Sequence, residues 1–363
     1  MTHDRVREAI HTRRELVNEA FPEELPITPP ERLYKASRHL IDAGGKRLRP
    51  TITLVAAEAL ADVEPLSVDY REFPTIEATS HGKPRSSHQL VRPKTPPTSV
   101  DVLVAAISVE VIQSFTLIHD DIMDDDPLRR GVPAVHEEFD LETAILAGDT
   151  LYSRSFELML ETGADVTRTV EALRLLASTC RLICEGQAFD VEFEERTDVT
   201  TDEYLEMVEM KTAVLYAAAA CLPAILLGGD EETVDALYGY GLDIGRAFQI
   251  QDDVLDLTVP TEKLGKQRGS DLIEGKRTML TVHATQQGVD VDGLVSASDV
   301  DAVTETEIDE AVAVLEEAGS IEYARTLASD LVEQGKDRLS ILPENESRAV
   351  LEDLADFLIE RGY

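Results

Sequence analysis

The sequence has few cysteines. Its 363 residues include only Cys180, Cys184 and Cys221, and the close pairing of cysteines that binds zinc does not occur. Three thiols cannot all pair within one chain, so we expect free, buried thiols in a reducing cytosol.

Basic residues are scarce as well. The chain carries 34 Lys and Arg against 71 Asp and Glu, and its formal net charge is −37. A surface this acidic repels nucleic acid and anionic membranes, so neither is an expected partner. Hydrophobic residues make up 43% of the chain, which indicates a folded protein. We interpret the excess acid as a halophilic adaptation, because salt screens self-repulsion; a melting temperature that fails to rise with KCl would refute this hypothesis.

No segment is long and apolar enough to predict a membrane span. The longest apolar run, 213–227, has 15 residues and contains Pro223, whereas a span needs about 20 residues. The N-terminal segment is charged and amphipathic and lacks the apolar centre of a secretory signal. We therefore expect a cytoplasmic protein without a membrane span.

Strand-type alternation is rare, and apolar residues recur at three- and four-residue spacing instead. This spacing predicts helices at 33–43, 51–62, 100–124, 139–161, 166–195, 201–228, 230–257, 307–335 and 346–361. The expected class is all-α, with the helices packed around a shared core in one domain over 1–363.

Residues 64–99 interrupt the helical pattern. The segment contains six prolines and little periodicity, so we predict a disordered surface insertion. Its basic residues are Lys83, Arg85, Arg92 and Lys94, with no acid between them. An alternative interpretation is that this basic patch contacts an acidic surface on a partner subunit.

Two matching aspartate clusters are the most informative motif. The form DDxxD occurs first at Asp120, Asp121 and Asp124, and again at Asp252, Asp253 and Asp256. Each copy ends an apolar helical run, and its first and last aspartates, four residues apart, share one helix face. Carboxylates this close repel each other unless a cation neutralises them, and Mg²⁺ prefers such oxygen ligands together with substrate phosphates. A single copy would be unremarkable in so acidic a chain, but two copies favour a diphosphate site with bridging metals.

Clusters of basic residues accompany the aspartates. GGKRLRP, at 44–50, combines glycines that permit close backbone approach with cations that bind phosphate oxygens. Further cations follow the two aspartate motifs or lie between them: Arg129, Arg130, Lys211, Lys266 and Lys276. Lone lysines are usually solvated surface residues. Their order around both DDxxD motifs favours diphosphate binding instead.

Together these motifs resemble the polyprenyl synthetases, the trans-isoprenyl diphosphate synthases. The resemblance covers about residues 30–280 and rests on GGKRLRP, DDIMD, RRG, GQAFD, KT, FQIQDDVLD and GKQRGSDLIEGKRT, in that order. It implies an isoprenoid-synthase-type helical bundle around a deep central cavity, a homodimer, and Mg²⁺ as cofactor, with Mn²⁺ as an alternative. The implied reaction condenses isopentenyl diphosphate with dimethylallyl, geranyl or farnesyl diphosphate in isoprenoid biosynthesis.

The resemblance also implies roles for individual residues. Metal ligands would be Asp120, Asp124 and Asp252, supported by Asp121, Asp253 and Asp256. Positions that match contacts to the allylic diphosphate are Arg129, Lys211, Thr212, Gln249 and Lys266. Positions that match the isopentenyl diphosphate site are Lys46, Arg49 and Arg130. Gln113 would be a neutral hydrogen-bonding partner, and Lys276 a further substrate-binding cation.

Two residues before the first aspartate cluster bear on product length. Phe115 and Thr116 precede Asp120 by five and four residues, which places them about one helical turn below the metal face. A large ring there would limit the growing tail, and this arrangement resembles archaeal-type geranylgeranyl diphosphate synthases. We expect geranylgeranyl diphosphate, with farnesyl diphosphate as an intermediate. The alternative interpretation of Phe115 is an ordinary core residue. Because one side chain does not define a cavity, a farnesyl or geranylfarnesyl product is the alternative to geranylgeranyl diphosphate.

Two other functions compete with the synthase. A terpene cyclase of the same helical fold also ionises diphosphates, but it does not need GGKRLRP or a second DDxxD. A non-catalytic regulatory subunit typically lacks one aspartate motif, and both are complete here. One departure from the family is Leu215, where some members carry tyrosine.

Overall fold

The protein is described by a computed structural model that covers residues 2–76, 99–260, 268–295 and 303–360. Helices in the first half are α1 (Thr2–Glu24), α2 (Glu31–Asp42), α3 (Leu48–Ala61), α4 (Val102–Met123), α5 (Val135–Glu138), α6 (Leu141–Glu161) and α7 (Val166–Glu194). Those in the second half are α8 (Thr201–Val208), α9 (Val214–Leu227), α10 (Glu231–Thr258), α11 (Ser270–Ile273), α12 (Met279–Gln286), α13 (Glu305–Glu317), α14 (Ser320–Arg338) and α15 (Glu346–Ile359). A π-helical turn, Glu209–Ala213, joins α8 to α9. The all-α prediction is confirmed.

Strands are short. β1 (Phe73–Pro74) pairs with β2 (Ser99–Val100), and β3 (Leu128–Arg129) pairs with β4 (Val132–Pro133), both antiparallel. The pairing of β1 with β2 contradicts part of the predicted disordered insertion at 64–99. Residues 64–76 have a defined structure, whereas the basic patch within 77–98 lies outside the described residues.

Helix boundaries follow the apolar spacing closely, with several differences. The four-residue helices α5 and α11 were not predicted, and the predicted helix 201–228 is interrupted by the π turn. Helix α1 was not predicted, because its many charged residues make the apolar stripe that contains the buried Val17 and Phe21 difficult to recognise in the sequence. The predicted helix 307–335 is divided into α13 and α14 at Gly319, whose φ of +73° suits glycine and ends a helix. Helix α12 was also not predicted, and it is only eight residues long.

One compact unit comprises Met1–Ser178, Ala218–Tyr238 and Leu339–Asp353. Its central helix is α4, which packs most extensively against α6 and α3. Asp101 caps α4 by accepting a hydrogen bond of 2.8 Å from the amide of Val104. Every side chain from Val102 to Ile112 is buried, as expected for a helix that is apolar on all faces. This burial holds α4 in place and thereby positions the aspartates at its C-terminal end.

A buried ion pair joins separate parts of this unit. The Arg13 side chain, 2% exposed, donates to both carboxylate oxygens of Glu58, which is fully buried, at 2.7 and 2.6 Å. The Tyr70 hydroxyl and the Ser347 hydroxyl donate to the same carboxylate. Glu58 therefore links α1, α3, α15 and the segment before β1. A buried carboxylate with this many donors costs several kcal/mol to disrupt.

The other compact unit comprises Thr179–Ala217, Gly239–Arg338 and Leu354–Tyr363. Here α10 approaches the π turn and the start of α9 closely. A Cβ atom on Gly245 would lie 2.6 Å from Cα of Ala213, and one on Gly241 would lie 2.3 Å from Cα of Ala217. Only glycine permits this approach. The contact fixes the π turn against the helix that carries the second aspartate cluster.

Although the apolar runs of the sequence predicted no membrane span, two helices in the described part of the chain are long and apolar enough to cross a membrane, Val102–Met123 and Thr201–Leu227. In each, most of the apolar window is buried inside the protein, 72% and 83% respectively. Burial of this extent is typical of core helices, so neither is a clear membrane span.

Candidate active site

The first aspartate cluster lies at the C-terminal end of α4. Asp120 and Asp121 occupy the last turn, and Asp124 caps the helix by donating its amide to the carbonyl of Asp120 at 2.9 Å. Asp120 and Asp124 are partly exposed, whereas Asp121 is buried. The first and last aspartates of the motif are therefore more exposed than the middle one, and their role as metal ligands stays a prediction.

The buried Asp121 is held by an arginine from the following hairpin. Arg129, on β3, donates from Nε to Asp121 at 2.6 Å and from Nη2 to Asp126 at 2.9 Å. Burial raises the pKa of Asp121 to about 6, although the Arg129 guanidinium lowers it. Asp121 thus anchors the hairpin beside the cluster, and a contact between Arg129 and diphosphate stays a prediction.

The next residue of the hairpin reaches the glycine-rich motif. Arg130 donates from Nη1 to the carbonyl of Leu40 at 2.8 Å and to the carbonyl of Gly44. The GGKRLRP loop and the RRG segment, far apart in sequence, therefore meet. Lys46 of this loop is exposed, and Arg49 is partly exposed in the first turn of α3. The structure thus brings Arg130 to the GGKRLRP loop, and a role of these residues in binding isopentenyl diphosphate stays a prediction.

The second aspartate cluster lies near the C-terminal end of α10, with its middle residue buried. Asp253 accepts hydrogen bonds from the Tyr204 hydroxyl, from Nε2 of Gln249 at 3.2 Å and from the amide of Met279 at 3.0 Å. Burial raises the pKa of Asp253 to about 7 despite these three donors. Asp252, by contrast, is partly exposed.

The last aspartate of this cluster connects α10 to the chain that follows. Asp256 is buried and accepts from the Ser270 hydroxyl at 3.0 Å and from the amide of Asp271 at 3.3 Å. Asp256 therefore holds the chain after α10 in place rather than facing a ligand. Further along, the Lys276 ammonium forms an ion pair of 3.1 Å with Glu274.

The π turn presents the KT motif. Lys211 forms a 2.5 Å ion pair with Asp190 of α7, and the Thr212 hydroxyl donates to Gln249 at 3.1 Å. A Cβ atom on Gly186 would lie 2.3 Å from the amide nitrogen of Lys211, so α7 and the π turn touch. Since π turns inside helices are frequent at functional sites, this local distortion singles out Lys211 and Thr212. Through Gln249 they are connected to the second aspartate cluster.

Phe115 lies one turn before the first cluster and is 9% exposed. Its ring packs edge-on against His119 and Tyr152, with centroids 5.1 and 5.4 Å away. The Thr116 hydroxyl donates to the carbonyl of Gln113 at 2.9 Å, and the Gln113 side chain is partly exposed. Phe115 therefore belongs to a cluster of aromatic rings, and its role in limiting the growing tail stays a prediction.

Some functional neighbours were not predicted. Tyr204 belongs to no motif, and only the fold places its hydroxyl on Asp253. Asp190 was visible as the last residue of GQAFD, but nothing in the sequence assigned it to Lys211. Lys266, a predicted contact of the allylic diphosphate, lies outside the described residues.

The aspartate clusters supply the oxygen donors that Mg²⁺ prefers. Asp120, Asp124 and Asp252 are partly exposed, while the other three motif aspartates are buried. In the part of the chain that the structure describes, no group of three or more His, Cys, Asp or Glu could hold a metal ion alone. Mg²⁺ is commonly bound through one or two carboxylates, with substrate phosphates and water completing its shell. The donors therefore fit a metal ion that a diphosphate completes.

Comparison with known proteins decides the family. A family model described as polyprenyl synthetase matches residues 30–315. The chain belongs to the polyprenyl synthetase family. It is 67% identical over 360 residues to a geranylfarnesyl diphosphate synthase of Natronomonas pharaonis, with 99% of both chains covered.

Two solved structures of polyprenyl synthetases are similar to it. One is a geranylgeranyl pyrophosphate synthetase from the archaeon Geoglobus acetivorans, with 41% identity, a TM-score of 0.80, and 97% of this chain and 99% of that chain covered. The other is a polyprenyl synthase from Caulobacter crescentus complexed with calcium and isoprenyl diphosphate, with 31% identity, a TM-score of 0.78, and 99% and 97% covered.

These similarities confirm the fold and the class of enzyme that the motifs predicted. The chain is a short-chain isoprenyl diphosphate synthase with the all-α isoprenoid synthase fold, and therefore a prenyltransferase. Polyprenyl synthetases act on isoprenyl diphosphates and use divalent metal ions. The names of its relatives differ in product length, so the geranylgeranyl product is not confirmed.

Proposed function

We propose that this synthase condenses isopentenyl diphosphate head-to-tail with dimethylallyl, geranyl and farnesyl diphosphate in the cytoplasm. The observation that supports the proposal is the combination of partly exposed and buried aspartates with two groups of basic residues. Lys211, Thr212 and Gln249 form one neighbourhood with the second cluster. The loop that carries Lys46 meets Arg130 in the other. Two basic neighbourhoods suit a reaction with two diphosphate substrates.

The chain's residues have distinct tasks in this mechanism. Asp120, Asp124 and Asp252 would hold Mg²⁺, or Mn²⁺ in its place, and the metal would supply positive charge against the charge that grows on the departing diphosphate. Lys211 adds a fixed cation toward the same leaving group as the allylic carbon–oxygen bond breaks. The isopentenyl double bond then attacks the allylic carbon, and a proton passes to the released diphosphate. No protein base is required, but the allylic cation would have to be kept from water, which an apolar environment for the tail would achieve.

Pyrophosphate release tests the reaction and separates it from its competitors. We expect release only when isopentenyl diphosphate, an allylic diphosphate and Mg²⁺ are all present. A terpene cyclase would release pyrophosphate from the allylic diphosphate alone. A regulatory subunit would release none under any salt concentration, and either result would refute the proposal.

For the product, we propose geranylgeranyl diphosphate, because the Phe115 ring is backed by the Tyr152 ring. Geranylfarnesyl diphosphate is the second candidate, favoured by the 67% identity to a geranylfarnesyl diphosphate synthase. The two products differ by a single isoprene unit. The size of the side chain at position 115 would therefore decide between the two product lengths.

Replacing the Phe115 ring by a methyl group, as in Phe115→Ala, should lengthen the main product by one or more isoprene units. The reason is that the tail gains the volume of the lost ring. Chromatography of dephosphorylated products measures the change. Phe73→Ala, which removes a fully buried ring from β1, is the control for simple destabilisation and should leave product length unchanged. An unchanged product in Phe115→Ala would show that another residue forms the cavity floor.

We also propose that the synthase is a homodimer. Several large apolar side chains are exposed along α6 and at the start of α7: Leu141, Ile145, Leu146, Tyr152, Leu160, Val166 and Val170. A concentrated apolar surface of this kind is typical of an interface, and the family resemblance points to a second copy of the chain. Light scattering in high salt should give twice the monomer mass of 40.0 kDa. A monomer mass would contradict the proposal.

A further inference from the structure

Glu110 is a buried acid on α4 to which no motif drew attention. It lies ten residues before Asp120, and its side chain is 4% exposed. Nη1 of Arg47 donates to its carboxylate at 2.6 Å, and Nη2 of Arg130 lies 3.6 Å from the same oxygen. One carboxylate is thus shared by two arginines that come from opposite sides of the first aspartate cluster in sequence.

Both arginines also hold the backbone that leads into the GGKRLRP loop. Nη2 of Arg47 donates to the carbonyl of Ile41 at 2.6 Å. Arg130 donates to the carbonyls of Leu40 and Gly44. Each guanidinium therefore binds Glu110 with one part and the segment just before Lys46 with another.

The loop between these contacts is conformationally demanding. Gly44 and Gly45 have φ values of +98° and +151°, and Arg47 itself has a φ of +51°. A Cβ atom on Gly45 would lie 3.0 Å from the guanidinium carbon of Arg130. Because glycines leave a free loop many conformations, external contacts must select the observed one. The two arginines supply those contacts.

Without Glu110 the two guanidinium groups would face each other in a largely buried space. Burial lowers the pKa of Arg130, the Glu110 carboxylate raises it, and the Arg47 charge lowers it further. The carboxylate is therefore the counter-ion that lets both arginines stay on the backbone carbonyls. Removing it leaves buried positive charge uncompensated, which favours rearrangement.

We infer that Glu110 is a positioning residue for the isopentenyl diphosphate site. By holding Arg47 and Arg130 together, it fixes the loop that presents Lys46 to that substrate. The inference rests on the proposed function, in which Lys46, Arg49 and Arg130 bind isopentenyl diphosphate. Its consequence is selective, because binding of the homoallylic substrate depends on Glu110 and binding of the allylic substrate does not.

The test compares Glu110→Gln with Glu58→Gln. Both remove the charge of a buried carboxylate that binds a buried arginine, but Glu58 holds Arg13 and Tyr70, away from the loop. The readouts are KM for each substrate, calorimetric binding of isopentenyl diphosphate alone, and the melting temperature. We expect Glu110→Gln to weaken isopentenyl diphosphate about tenfold and the allylic substrate less than about twofold. Glu58→Gln should lower the melting temperature and change neither KM.

Two further variants complete the test. Glu110→Asp keeps the charge and should restore most of the affinity. If Glu110→Gln does not fold, the pair Arg47→Met with Glu110→Leu replaces the buried ion pair by apolar side chains, a change that is often neutral for stability. It should show the same selective loss. Equal effects of Glu110→Gln and Glu58→Gln, or equal effects on both substrates, would overturn the inference. A wild-type protein that neither binds nor incorporates isopentenyl diphosphate would instead refute the proposed function.

Discussion

Asp120→Ala and Asp252→Ala each lower turnover by on the order of a thousandfold or more while the protein stays folded. Each residue is the first aspartate of its motif and is partly exposed, so it contributes to the site more than to the core. Loss of either carboxylate removes a metal ligand that offsets charge on the leaving diphosphate. Steady-state kinetics at saturating Mg²⁺ and a thermal melt measure the two effects separately.

The control for this loss is Asp125→Asn. Asp125 belongs to the same acidic run, is exposed, and lies outside the DDxxD positions. Its φ of +54° is in the left-handed region, which asparagine adopts readily, so the backbone should be unaffected. We expect near-normal turnover in this variant. Near-normal turnover in Asp120→Ala or Asp252→Ala would contradict the assignment of the metal ligands.

Lys211→Met should lower kcat by about 10²–10³-fold, because a fixed cation near the leaving group acts mainly in the transition state. The Lys211 ammonium is oriented by Asp190 at 2.5 Å and by its place in the π turn. Its preorganisation means that little reorientation is needed when charge develops on the leaving group. Rapid-quench measurement of a single turnover reports the chemical step directly.

Lys336→Met is a closely matched control for that variant. The Lys336 side chain is 26% exposed, against 25% for Lys211, and it also pairs with an aspartate, Asp356, at 3.0 Å. Lys336 lies on α14 and belongs to none of the predicted substrate-binding motifs. We expect its loss to change stability slightly and kcat hardly at all. A Lys211→Met enzyme with the kcat of Lys336→Met would show that Lys211 is a surface residue.

Sequence periodicity predicted most helices because apolar stripes report directly on burial. Helix α4 is the clearest case, since its apolar run is buried from Val102 to Ile112. The same reasoning failed where burial depends on distant partners. Residues 64–76 looked like part of a proline-containing loop, yet Tyr70 is buried and its hydroxyl donates a hydrogen bond to the carboxylate of Glu58. That contact cannot be read from local sequence.

In the candidate site, too, local sequence predicted some features and tertiary contacts decided the others. The two DDxxD motifs and their order among basic motifs were sufficient to predict the family. The family resemblance implied three metal-binding and three supporting aspartates, but the contacts that hold the supporting aspartates were not predictable, because they come from distant parts of the chain. Asp253 is buried by Tyr204 and by the amide of Met279, which come from two other helices. The spacing of the motif does not distinguish the burial of Asp252 from that of Asp253. Only the fold shows that Asp252 is partly exposed and Asp253 is buried.

Analysis of the product of the purified protein tests the central claim most directly. Labelled isopentenyl diphosphate is supplied with dimethylallyl, geranyl or farnesyl diphosphate in high-salt buffer with Mg²⁺, with and without EDTA. We predict a linear C20 diphosphate whose formation EDTA abolishes. A C25 product would keep the reaction and favour the geranylfarnesyl candidate over the limit set at Phe115. Absence of incorporation at every salt concentration would contradict the proposal that this chain is an active isoprenyl diphosphate synthase.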